Sequence, residues 1–214
     1  MNFIDVHTHN IDSDTDITSV VNNFPNIKEP NSFFSVGIHP WYIDKSTINS
    51  EIQLLAQKLS YKNCIAIGEC GLDKLSKVDF NMQIEVFKQQ VQLSEKHNKP
   101  LIIHCVRAYN EIIALKKQLK PQQIWVIHGF NKSEQIALEL LKSNIILSLG
   151  AYLLNNTKLQ NTIAKIPIEN ILLETDNSSQ SIKNIYNTFA TIQGKDLETV
   201  KFKINQNFNR IFIT

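Results

Sequence analysis

The sequence predicts an α/β fold whose parallel strands close into a TIM-like (β/α) barrel, and three observations carry that expectation. Short apolar runs recur along the whole chain, amphipathic stretches with helical spacing separate most of them, and His or acidic residues stand where at least five of the seven runs end. Strands that alternate with helices form a parallel sheet. Polar groups at the ends of strands spread over the whole chain converge more readily around a ring than at the single switch point of an open sheet.

In order, the runs are Phe3 to Val6, Phe33 to Ile38, Cys64 to Ile67, Leu101 to Ile103, Ile124 to Ile127, Ile145 to Leu149 and Ile171 to Leu173. Each reads as a strand buried on both faces. After the third, Phe80 to Lys96 repeats Phe80, Ile84, Phe87, Val91 and Leu93 among Gln, Lys and Glu, the pattern of an amphipathic helix. Pro100 opens the fourth strand, and Pro121 closes the helix that holds Ile112, Leu115 and Leu119. Leu197 to Phe212 reads as a closing helix, and His97 as a helix-end residue. The exception to the alternation is Asn10 to Asn31, polar, interrupted by Pro25 and Pro30, with only a short helical pattern from Ile17 to Phe24. With no repeat, low-complexity tract or composition break, residues 1–214 form one expected domain.

Net charge is +2, so no global field draws in a polyanion and contact with nucleic acid has to be local. No apolar stretch approaches the roughly 20 residues of a membrane span, and the N-terminus lacks the pattern of an export signal. The expectation is a cytoplasmic protein with no membrane association and no obligate protein partner evident. Cys64, Cys70 and Cys105 are odd in number and unpaired in spacing, which fits a reducing compartment. Cys70 and Cys105 read as packing residues.

The first chemical signal is Asp5-Val6-His7-Thr8-His9, where the period-two alternation of a strand turns both imidazoles to one face. Partners follow at the ends of later runs: Glu69, His104, His128 and Asp176. One polar residue at a strand end is commonplace, but four imidazoles and two carboxylates at one barrel mouth need a reason, because buried charge is costly unless paired or metal-bound. They suit one or two divalent ions, with Mg, Mn or Zn the leading candidates. Six ligands exceed a closed structural zinc site, and no Cys pair is present, so a catalytic, binuclear centre that activates water for hydrolysis is expected.

These stretches resemble the TatD family of metal-dependent hydrolases among the amidohydrolase-like barrels. The match runs through Phe3 to His9, Gly37-Ile38-His39-Pro40, Ala66 to Asp73, Pro100 to His104, His128-Gly129-Phe130, Leu173-Glu174-Thr175-Asp176 and Asn207 to Phe212, in family order. The resemblance implies that His7, His9 and Asp176 hold one metal and His104 and His128 the other. Glu69 then bridges both, where many related amidohydrolases use a carbamylated lysine. It implies that Asp176 orients or deprotonates the attacking water, that the substrate is DNA, and that nucleotides leave from its ends.

Two stretches depart from the family. The segment from Asn10 to Asn31 is too short and polar for the usual second strand and helix, which implies a shortened barrel of seven strands or one with a distorted wall. Asn177-Ser178-Ser179 replaces the usual small residue, proline and aromatic after the Glu-Thr-Asp stretch. Around the centre, Arg107 and Lys74 are candidate phosphate contacts, and His39 is a candidate to touch substrate or to support the centre. Asp5 and Glu174 share the inward parity of His9 and Asp176 and are expected to orient ligands from behind. Asp73 reads as a turn or supporting residue. A TatD-type deoxyribonuclease is the leading expectation, a hydrolase of small amides, esters or phosphoesters the second, and a non-catalytic metal-binding scaffold the third.

Overall fold

The computed structural model describes residues 1–10 and 14–213. One eight-stranded, all-parallel sheet runs in sequence order, each strand paired with the next. Its strands are β1 (Phe3–Thr8), β2 (Ile17–Asn23), β3 (Phe34–Val36), β4 (Cys64–Asp73), β5 (Leu101–Val106), β6 (Trp125–Ile127), β7 (Ile145–Leu149) and β8 (Ile171–Leu173). The ring joins where Thr8 bridges Asp176, just past β8. Helices α1 (Ile48–Lys58), α2 (Phe80–His97), α3 (Tyr109–Leu119), α4 (Glu134–Lys142), α5 (Tyr152–Asn155), α6 (Thr157–Ile163), α7 (Ile182–Gln193) and α8 (Leu197–Phe212) follow from β3 onward. This is a TIM-like barrel, shortened at its start.

The expected helix over Ile17 to Phe24 is a strand, and the barrel has eight strands, not seven. Ile17, Val20, Val21 and Phe24 do fall at helical spacing. Yet Ile17, Thr18, Val20 and Val21 are β-branched, and parallel partners stand on both sides. Burial of four consecutive residues, Val20 to Asn23, removed the alternation that would have marked a strand. What the chain omits is the helix expected after that strand: β2 reaches β3 through a loop.

Strand β4 also runs further than its apolar start, ten residues through Asp73, with a register shift between Ile67 and Cys70. Glu69 therefore sits inside the strand. Gly71 permits this, because its φ is +142° and a β-carbon there would lie 2.0 Å from the carbonyl oxygen of His104. The close approach of β4 and β5 brings Glu69 and His104 together.

The lower part of the β1–β8 seam is filled from outside. The Tyr186 hydroxyl of α7 accepts the Ile4 N–H at 2.9 Å and donates to the Ile4 carbonyl at 3.1 Å, so it stands in for a neighbouring strand. Asn207 of α8 likewise donates to the carbonyls of Ile168 and Ile171.

Candidate metal centre

His7 lies in β1, fully buried, and His9 one residue beyond it with its side chain 30% exposed. Both Nε2 atoms converge on the same oxygens. Glu69 Oε2 stands 3.5 Å from His7 and 3.7 Å from His9, and Asp176 Oδ1 stands 3.7 Å and 3.5 Å from them. Backbone closure of the barrel fixes this group: the Asp176 N–H donates to the His7 carbonyl at 2.9 Å, and the His9 N–H to the Asp176 carbonyl at 3.1 Å. Asp176 holds a left-handed φ of 54°, sparsely populated for any residue but glycine, where two neighbouring bonds over-determine it.

The other oxygen of Glu69 faces a second group. Oε1 lies 2.8 Å from His104 Nδ1, 2.8 Å from His128 Nε2 and 3.2 Å from His39 Nε2. His104 Nδ1 and His128 Nε2 are themselves 3.4 Å apart. Glu69 thus stands between the two groups of imidazoles, one oxygen to each.

Supporting contacts aim these rings. Asp73 Oδ2 accepts from His104 Nε2 at 3.0 Å, which leaves Nδ1 turned to Glu69. Glu174 Oε1 lies 3.4 Å from His128 Nδ1 and accepts the Gly129 N–H at 2.7 Å, while its Oε2 accepts from Ser148. The Asp5 carboxylate accepts the N–H and hydroxyl of Thr175, holding the residue before Asp176, and its partner in His7 is the backbone. Three contributors carried no sequence signal. Asn22 of β2 accepts the Glu69 N–H at 2.8 Å, and Gln83 and Gln90, on the buried face of α2, hold the backbone N–H and carbonyl of Asp73 and Ile38.

Electrostatics matches this crowding. Burial works against the Glu69 carboxylate, yet His128, His104 and His39 hold its carboxyl well below the usual range. Burial likewise opposes charge on His128, and the carboxylates of Glu69 and Glu174 raise its pKa well above that of a free imidazole. His39 goes the other way, lowered by burial. Its Nδ1 accepts the Trp41 N–H at 3.1 Å, so the proton sits on Nε2, toward Glu69.

The donor set fits divalent ions. His7 has both ring nitrogens buried with no hydrogen-bond partner among the described residues, a cost that a bound cation would remove. Around a tetrahedral ion with bonds of about 2.0–2.2 Å, ligand atoms lie about 3.3–3.6 Å apart, close to the separations that His7 and His9 make with the two carboxylates. The contacts of 2.8 Å on the other side are hydrogen-bond distances.

A cavity of about 220 Å³ opens onto the centre, lined by His9, Glu69, His104, His128, Asp176 and Asn177 together with Phe24, His39, Trp41 and Tyr42. The proposed phosphate contacts are not among these residues. Lys74 is paired with Glu111 of α3, and Arg107 stands exposed in a left-handed turn. His39 is buried and turned to Glu69. The aromatic rim, Trp41 and Tyr42 directly after the His-Pro pair, was readable as consecutive aromatics in a loop but carried no spacing signal. Cys64, Cys70 and Cys105 are buried and free, with burial raising the Cys105 thiol to about 12.

Comparison with known proteins places the chain. The profile of the family described as TatD related DNase matches residues 5–213. A metal-dependent hydrolase from Buchnera aphidicola is 31% identical over 199 residues, covering 85% of this chain and 74% of that protein. The 3'-5' ssDNA/RNA exonuclease TatD of Pantoea ananatis is 24% identical, covering 83% and 76%. The crystal structure of the TatD homologue YJJV from Escherichia coli superposes with a TM-score of 0.85 at 19% identity, over 99% of this chain and 98% of that one.

Proposed function

Because the chain belongs to the TatD related DNase family of metal-dependent hydrolases, we propose that it hydrolyses phosphodiester bonds of DNA, releasing nucleotides from a strand end. His7, His9 and Asp176 would hold one divalent ion and His104 and His128 the other, with Glu69 shared. Mg, Mn or Zn is the ion we favour. The observation that carries this reading is the division of Glu69, one carboxylate oxygen facing each group of imidazoles. Such ions, when bound, polarise phosphoryl oxygens and acidify water.

The chain's own residues divide the remaining work. Asp176, its side chain 43% exposed above the fully buried His7, is the carboxylate able to meet both water and substrate, so it orients the attacking water and takes its proton. Asp73 fixes the tautomer and tilt of His104, and the Glu174 carboxylate, 3.4 Å from His128 Nδ1, backs the His128 ring. The likeness to the 3'-5' ssDNA/RNA exonuclease of Pantoea ananatis supports a nucleic-acid end as substrate. Three buried, free cysteines support a reducing, cytoplasmic setting.

The test is degradation of end-labelled single-stranded DNA by purified protein in EDTA and then with Mg, Mn or Zn restored. Metal-dependent shortening from one end is the expected result. Survival of the DNA under every metal, with turnover of a small phosphoester, ester or amide, would remove the DNA assignment and leave the hydrolase.

A further inference from the structure

We propose that Trp41 is the stacking platform for a base of a single-stranded substrate whose phosphodiester lies over the Glu69 centre; this deepens the nuclease reading and rests on it. Trp41 is 54% exposed at the rim of the catalytic cavity. An exposed indole is ordinarily mobile, but this one is tethered. Its Nε1–H donates to Asp73 Oδ2 at 2.6 Å, and its ring packs nearly perpendicular to His39 and His104, with centroids 5.0 and 5.8 Å away. A large apolar ring held rigid beside a reactive centre, yet left in water, is preorganised to be covered by a ligand.

Position identifies the ligand's chemistry. Trp41 also lines a second cavity of about 460 Å³, with Asp73, Leu75, Ser76, Lys77 and Val106. The indole therefore stands between the metal-side cavity and a neighbouring one in which Leu75 and Val106 add an apolar wall beside the ring, room for a base laid on its face. On the other side the row of rings continues from His39 to Tyr42 and Phe24. The net charge of +2 gives little purchase on phosphates, so affinity for a strand has to come from contacts such as stacking, which tolerates any base. A paired base hides its faces in the duplex, so the platform selects single strands or frayed ends.

Two readouts test it. With Mg or Mn bound, kcat/KM is compared on oligothymidine and on a strand of equal length in which every base is replaced by an abasic residue. Trp41→Ala should lose roughly ten-fold or more on oligothymidine and much less on the abasic strand, whereas Trp41→Phe, which keeps a ring but loses the Asp73 tether, should fall between Trp41→Ala and the wild type on oligothymidine. The second readout uses the fact that the chain has two tryptophans, Trp41 and the fully buried Trp125. In EDTA, oligothymidine should quench the protein's intrinsic fluorescence in step with binding measured by anisotropy. Equal losses on both strands, or binding without quenching, would overturn the platform while leaving the nuclease. Absence of both cleavage and binding of DNA in the wild type would overturn the nuclease reading and the platform with it.

Discussion

At the scale of single residues, the centre depends on which carboxylates reach solvent and which only aim a ring. Asp176→Asn should lower turnover by about two orders of magnitude or more with an unchanged circular dichroism spectrum; near-normal turnover would remove its assigned role. Asp73→Asn and Glu174→Gln should instead weaken metal affinity about 10- to 100-fold, read by competition with a chelator. A pH effect arises away from the site. Burial lowers the Lys116 ammonium of α3 to about 8, below its usual 10.5. Its charged form is therefore penalised by folding at neutral pH, and the penalty lifts as pH rises from about 8 toward 10.5, where the folded state alone has shed the proton. Relative to Lys116→Met, the wild type should gain stability over that window in urea denaturation; a constant difference would contradict it. The six proposed ligands were legible because each interrupts an apolar run. Asn22, Gln83, Gln90 and Trp41 were not, since an amide that satisfies a distant backbone group and an aromatic in a loop look like ordinary polar faces and surface rings until the fold places them.

Among the elements, the strands after β2 were legible from apolar runs, and β2 was misread because the spacing of four residues, Ile17, Val20, Val21 and Phe24, fits a helix as well as a buried strand. Tertiary pairing decided it. The length of β4 was illegible for a related reason: Glu69, Gly71 and Asp73 look like the end of a strand, whereas the register shift carries pairing past them. Gly71→Ala should consequently damage the site more than its small size suggests, because the added carbon meets the His104 carbonyl; loss of metal affinity together with a lower melting temperature is expected, and a wild-type profile would refute the close approach of β4 and β5. Tyr186→Phe removes the partner of the Ile4 N–H and carbonyl and should cost about 1–3 kcal/mol in stability, measured by urea denaturation, with metal affinity largely kept.

Across the whole molecule, the barrel and the centre are one construction. The bonds that close the ring between β1 and Asp176 are the bonds that seat His7, His9 and Asp176, and Glu69, His104 and His128 come from the strands β4 and β5 and the end of β6. Ion binding should therefore stabilise the fold, by about 2.7 kcal/mol for one site at a hundred-fold excess over its dissociation constant, and EDTA should lower the melting temperature. No helix among the described residues is long and apolar enough to cross a membrane. The measurement that reaches the central claim most directly is metal stoichiometry by elemental analysis of the dialysed protein, wild type beside Glu69→Ala. Two divalent ions per chain in the wild type, with both sites weakened together in the variant, is the predicted result. Binding that is absent from the wild type, or indifferent to loss of Glu69, would contradict a centre built around that carboxylate.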